Sequence, residues 1–95
     1  MTVITLYSRT SCVQCTASQR ELKKVGVEFE NYGDVVELED RKFVYADATT
    51  EENLSYVKDE LGYMQAPVMT VVSADGELVD HWSGFRPDKI VLHAA

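Results

Sequence analysis

Apolar and polar side chains alternate along residues 2–7 (Thr-Val-Ile-Thr-Leu-Tyr), the period-two pattern of a β-strand. Ser8, Arg9, Thr10 and Ser11 then form a polar turn containing good helix N-cap types. From residue 12 to about residue 24 the chain favours helix, with Gln14, Ala17, Gln19, Arg20, Glu21 and Leu22. Lys23 and Lys24 suit the negative end of that helix's dipole, and Gly26 suits its stop. Residues 27–32 and 42–47 both alternate again, separated by Gly33 and the apolar-acidic run 35–40. One of the two is the second core strand. Residues 43–47 are the better candidate, because they feed directly into the next helix. The other is a hairpin arm or an extended loop. Thr49 with Glu52 offers a capping box, Leu54, Val57 and Leu61 form an apolar stripe, and Gly62 closes it. Pro67 introduces a strand over residues 68–72, Asp75-Gly76 marks a tight turn, and residues 77–82 return antiparallel. Pro87 suits the first turn of a last short helix ending near residue 93. The predicted order is β-α-β-α-β-β-α: an α/β fold whose four-stranded mixed sheet is flanked by helices.

A chain of 95 residues forms one domain, residues 1–95, with a single modest core. No apolar run approaches the ~20 residues that span a bilayer, and the N-terminus lacks the basic and apolar regions of a signal peptide. A cytoplasmic protein is therefore expected, with no membrane partner. The formal charge of −7 disfavours nucleic acid, whose phosphates such a surface repels. The acid is concentrated in residues 28–40 and 47–60, where solubility is the plain reading and attraction of a basic partner the sharper one.

The chain has two cysteines, Cys12 and Cys15, and they sit where the first strand gives way to the first helix. That is the placement expected of a thioredoxin-like redox pair. A helix N-terminus carries unpartnered N–H groups and partial positive charge, which favour a thiolate. Residues i and i+3 are surface neighbours on a helix, so the pair can form a disulfide with little backbone movement. Cys12, at the helix start, is expected to be the nucleophile, and Cys15, inside the first turn, the resolving thiol. The competing reading, a zinc half-site, lacks ligands: zinc takes four, and His81 and His93 have no matching spacing. No metal is expected. A passive disulfide is also disfavoured, since so small a loop stabilises little.

Pro67, at the start of a strand, is an ordinary loop proline if the fold is ignored. In a thioredoxin-like topology it is expected to be cis, packed against the cysteines, leaving the backbone of Ala66 to pair with an extended substrate. Trp82, Gly84 and Phe85 can be core and turn residues, or can line the groove beside Cys12.

Four segments together resemble the NrdH-redoxin family of small glutaredoxin-like proteins: residues 3–8, Cys12-Val13-Gln14-Cys15, residues 61–68, and His81-Trp82-Ser83-Gly84-Phe85-Arg86-Pro87-Asp88. The resemblance implies a thioredoxin fold and a dithiol that donates electrons to the large subunit of class Ib ribonucleotide reductase. It also implies re-reduction by thioredoxin reductase, with NADPH used only indirectly through that reductase and no cofactor bound. Arg9, Ala66, Pro67, Trp82, Gly84 and Phe85 are the expected substrate contacts, and a monomer is expected. Gln65-Ala66-Pro67 stands where glutaredoxins carry Thr-Val-Pro, and Ser83-Gly84-Phe85-Arg86 replaces their glutathione-holding glycine pair. The acidic stretch after the first helix is longer than the family's usual connection, so an insertion on a sheet edge is expected, peripheral to the chemistry. Two alternatives are a general glutaredoxin-like disulfide reductase and an Spx- or arsenate-reductase-like binding module. The latter would not carry the run from Trp82 to Asp88.

Overall fold

The N-terminal alternating stretch becomes the middle of the sheet. In the computed structural model, which describes residues 1–94, β1 (Thr2–Ser8) buries Ile4, Leu6 and Ser8. It pairs in parallel with β3 (Arg41–Asp47) and antiparallel with β4 (Val68–Val72). With β2 (Val35–Leu38) and β5 (Leu78–Ser83) the sheet order is β2-β3-β1-β4-β5. Three helices flank it: α1 (Val13–Lys24), α2 (Glu51–Ser55) and α3 (Pro87–Ala94). The expected α/β topology and the choice of 43–47 as the core strand both hold.

The sheet has five strands rather than the predicted four. The added one comes from the acidic run: Val36 pairs with Phe43 and Leu38 with Arg41. Val36 and Leu38 pack against the core while Val35 and Glu37 face solvent, so the alternation that builds a strand was present there. Residues 27–32 alternate equally well but form no strand. Their backbone is claimed locally, because Asp34 Oδ2 accepts the N–H groups of both Glu30 and Asn31 at 2.9 Å. A carboxylate that binds nearby N–H groups competes with a sheet ladder.

The second helix is capped one residue later than expected. Thr50 Oγ1 accepts the Asn53 N–H at 3.3 Å, whereas Thr49 is held by Asp47 through its N–H (2.8 Å) and hydroxyl (2.6 Å). After Ser55 the helix widens into one π-helical turn, Tyr56–Glu60. Val57 is buried there and Tyr56 lies against Tyr7, but Leu54 of the predicted apolar stripe stays half exposed.

The main core lies on the sheet face that carries Ile4, Leu6, Phe43, Met69 and Trp82, covered by Leu22 of α1 and by Ile90 and Ala94 of α3. Burial of each such side chain contributes about 1.5–3 kcal/mol relative to exposure. At the rim, α3 is tied to β5 by Asp80, which accepts Lys89 Nζ at 2.9 Å and lies 2.8 Å from His93 Nε2. Desolvation pushes the Asp80 carboxyl up, but the hydrogen bonds from His93, Lys89 and the His81 N–H together outweigh it and hold it at about 2. A carboxyl depressed in the folded state contributes stability above its unfolded value, and loses it as pH falls toward the folded value. Asp80→Asn is therefore expected to cost about 1–2 kcal/mol at neutral pH, allowing for partial solvent exposure. Denaturant unfolding at a series of pH values should show the difference closing between about pH 4 and pH 2. A difference that does not change with pH would exclude this ionic origin.

Candidate active site

The turn between β1 and α1 places the cysteines. Ser11 adopts a left-handed conformation (φ 54°), which swings the chain from strand to helix, and Cys12 then takes the extended geometry of an N-cap (φ −123°, ψ 107°). Its Sγ accepts the Cys15 N–H at 3.2 Å. Cys15 lies one turn on and is 1% exposed, whereas Cys12 is half buried. The two are joined in a disulfide with Cα atoms 5.2 Å apart, inside the usual span of such bonds.

On one side of the disulfide lies a groove. The Ala66–Pro67 peptide is cis, and the Ala66 carbonyl oxygen is 3.7 Å from Cys12 Sγ. The Gly84 N–H donates to the Pro67 carbonyl at 2.8 Å. The Phe85 N–H donates to Gln14 Oε1 at 2.9 Å, which ties the residue between the two cysteines to the segment entering α3. Gly84 has φ +83°, and a Cβ there would lie 3.0 Å from Gln14 Oε1, so both conformation and space favour glycine. Beside Ala66 the groove opens into a cleft of about 220 Å³ lined by Arg9, Leu54, Lys58, Tyr63 and Met64. Met64 is 79% exposed. Arg9 has no ion-pair partner among the described residues.

Of the residues expected from sequence, the structure gathers Cys12, Cys15, Ala66, Pro67, Gly84 and Phe85 around the disulfide, with Arg9 at the edge. Trp82 is not among them. It is 3% exposed in the core, stacked on His93 with Lys89 over its ring, because its place in β5 points it to the Met69 face. Among the described residues no group of three or more potential ligands could hold a metal ion, and no helix is long and apolar enough to cross a membrane. His81 and His93 are engaged elsewhere, with Tyr63 and Asp80.

Two features were not anticipated. One is the Gln14 bridge, for which the only signal was an amide side chain between the cysteines. The other is a second cleft, of about 370 Å³, whose lining includes both cysteines but not Ala66. Its wall includes Ser8, Gln19, Tyr45 and residues 30–32 of the acidic segment. That segment, expected to be peripheral to the chemistry, thus shares a cleft with both cysteines. It is drawn in by Tyr45, whose ring lies between those of Phe29 (5.0 Å) and Tyr32 (4.7 Å), and whose backbone exchanges hydrogen bonds with Gly33 and Asp34.

No family-level sequence profile matches the chain. Individual proteins do. The glutaredoxin-like protein NrdH of Escherichia coli is 37% identical over 93 residues, which covers 97% of this chain and 90% of that protein. Its counterpart in Salmonella typhimurium is 36% identical over 90 residues, covering 92% and 83%. Among solved structures, the Escherichia coli NrdH-redoxin superposes with a TM-score of 0.62 at 27% identity, covering 98% of this chain and 96% of that one. Spinach chloroplast thioredoxin f superposes at 0.65 with 21% identity, a likeness of fold alone. A dithiol at a helix N-terminus, oxidised to a disulfide on a thioredoxin fold, and kinship over nearly the full length together make this chain a member of the NrdH-redoxin family, a thiol–disulfide oxidoreductase.

Proposed function

We propose that this protein is the electron donor to the large subunit of a class Ib ribonucleotide reductase, is re-reduced by thioredoxin reductase at the expense of NADPH, and works as a cytoplasmic monomer. It binds no cofactor of its own. The observation that carries this reading is the groove beside Cys12. The half-buried backbone at Ala66, whose carbonyl oxygen faces Cys12 Sγ, is flanked by the exposed apolar side chain of Met64 and suits an extended segment of a partner protein, which can add to it as a strand. The same groove suits glutathione poorly. Gln14 already occupies the Phe85 N–H and fills the space beside Gly84, and the charge of −7 gives no help to an anion.

In this reading Cys12 is the nucleophile. As a thiolate it would accept a charge-assisted hydrogen bond from the Cys15 N–H at the positive end of α1. It attacks a target disulfide and releases one target thiolate. Cys15 then attacks Cys12 Sγ, releases the second target thiolate and forms the disulfide seen here. Arg9, Ala66, Pro67, Gly84 and Phe85 contact the partner chain, and Trp82 supports them from the core.

Limiting alkylation of the reduced protein at mildly acidic pH should label Cys12 ahead of Cys15, read by peptide mass spectrometry. Cys12→Ser should abolish turnover, and Cys15→Ser should accumulate mixed disulfides with the target. First labelling at Cys15 would reverse the roles. In an NADPH-coupled assay, thioredoxin reductase should sustain turnover at least about tenfold faster than physiological glutathione with glutathione reductase, a barrier difference of about 1.4 kcal/mol. Comparable rates would make the protein a general glutaredoxin-like reductase instead.

A further inference from the structure

The second cleft shares no lining residue with the cleft beside Ala66 except Arg9. Thiol–disulfide exchange proceeds with the three sulfurs in line, so the departing target sulfur lies across Cys12 from Cys15. The resolving step leaves a proton behind. The mixed disulfide R–S–S–Cys12 and the Cys15 thiol become the Cys12–Cys15 disulfide, R–S⁻ and H⁺. The bond from R's sulfur to Cys12 breaks as the Cys12–Cys15 bond forms; R is reduced and the cysteine pair is oxidised. Cys15 is 1% exposed, and the buried polar side chains among the described residues are Ser8, Ser18 and Thr70, none of them a base at neutral pH. A buried thiol reacts slowly unless its proton has somewhere to go.

The second cleft supplies that place. It reaches Cys15 and has room for a chain of water molecules. Its wall beside α1 is a hydrogen-bonded row in which Gln19 Nε2 donates to the Tyr45 hydroxyl at 2.6 Å and that hydroxyl donates to Ser8 Oγ at 3.4 Å. Glu30 is the one acidic residue among those lining it; it is exposed and makes no ion pair among the described residues. Its backbone is pinned by Asp34, and the loop is clamped through the rings on Tyr45.

We propose that Glu30, held at the cleft by Asp34 and Tyr45, accepts through water the proton that Cys15 gives up when it resolves the mixed disulfide. Tyr45, Gln19 and Ser8 act as positioning residues that keep the path polar. The proposal rests on dithiol exchange at Cys12 and Cys15 and is independent of which protein is the partner.

The test uses the full, reduced chain and a neutral dipyridyl disulfide, which releases one chromophoric thiopyridone when Cys12 attacks and a second when Cys15 resolves. Stopped-flow absorbance separates the two phases across pH. Glu30→Gln should leave the first phase within about twofold and slow the second by about tenfold near neutral pH, a modest share of the effect of a well-placed general base. Its second phase should depend more steeply on pH, and added acetate should restore the rate. Glu30→Asp should retain most of it. A second phase unchanged in rate and pH profile overturns the proposal. So does equal slowing of both phases, or a slowed second phase that acetate leaves untouched, since each points to altered loop structure rather than a lost base. A missing first phase would instead count against dithiol exchange itself.

Discussion

The molecule's chemistry depends on one short contact, the hydrogen bond from the Cys15 N–H to Cys12 Sγ at the start of α1. It makes a sulfur atom the cap of a helix, so the unpartnered N–H groups and partial charge of the helix end act on the atom that the proposed mechanism makes anionic. Packing decides that this cysteine and no other takes the position. Cys15, Ser18 and Leu22 fall three and four residues apart and form the buried stripe of α1. That stripe rests on a core built around Ile4, Leu6 and Phe43. Once Leu22 is seated, the phase of the helix buries Cys15 and leaves Cys12 at the half-open end. Two chemically identical thiols thereby become inequivalent through core packing alone.

Sheet register extends the same logic to the surroundings. Tyr7 pairs with Val68, Val68 with Ser83, and Ser8 with Asp47. The end of β1 that leads to Cys12 therefore meets the start of β4, the end of β5 and the end of β3. Loops carrying Ala66, Gly84 and Ala48 gather at one end of the sheet, where backbone groups are free of the ladder and available for recognition. The hydrogen bonds from Gly84 to Pro67 and from Phe85 to Gln14 close this end into a ring around the disulfide. The disulfide thus has two clefts beside it: one lined by Ala66 and exposed Met64, the other a polar cleft lined by both cysteines.

At the opposite rim, Asp80, Lys89 and His93 fasten α3 to β5, with Trp82 stacked beneath. The helix that follows the active-site ring is thus held through Lys89 and His93 as well. The tryptophan that belongs to the most distinctive sequence run works here through packing.

Much of this was legible in the chain itself. The period-two stretches at residues 2–7, 43–47 and 68–72, the helical run after Cys12, and the placement of the cysteine pair are local patterns. Local backbone preference and side-chain alternation are enough to specify them, and the resemblance of residues 81–88 to a known family did the rest for the groove. The sequence alone left undecided whatever depended on competition between distant segments. Residues 27–32 and 35–38 alternate alike, yet only the second became a strand, because Asp34 captured the backbone of the first while Val36 and Leu38 found Phe43 and the core edge. Trp82 read equally as groove or core until the register of β5 turned it inward. The second cleft had no local signature at all. It exists because Tyr45, on a strand, draws Phe29 and Tyr32 across a gap in the sequence and brings Glu30 and Cys15 to one surface. Periodicity reports which face of an element is apolar. Which other face it meets is settled only by closing the chain on itself, and that is where this protein's second wall was made.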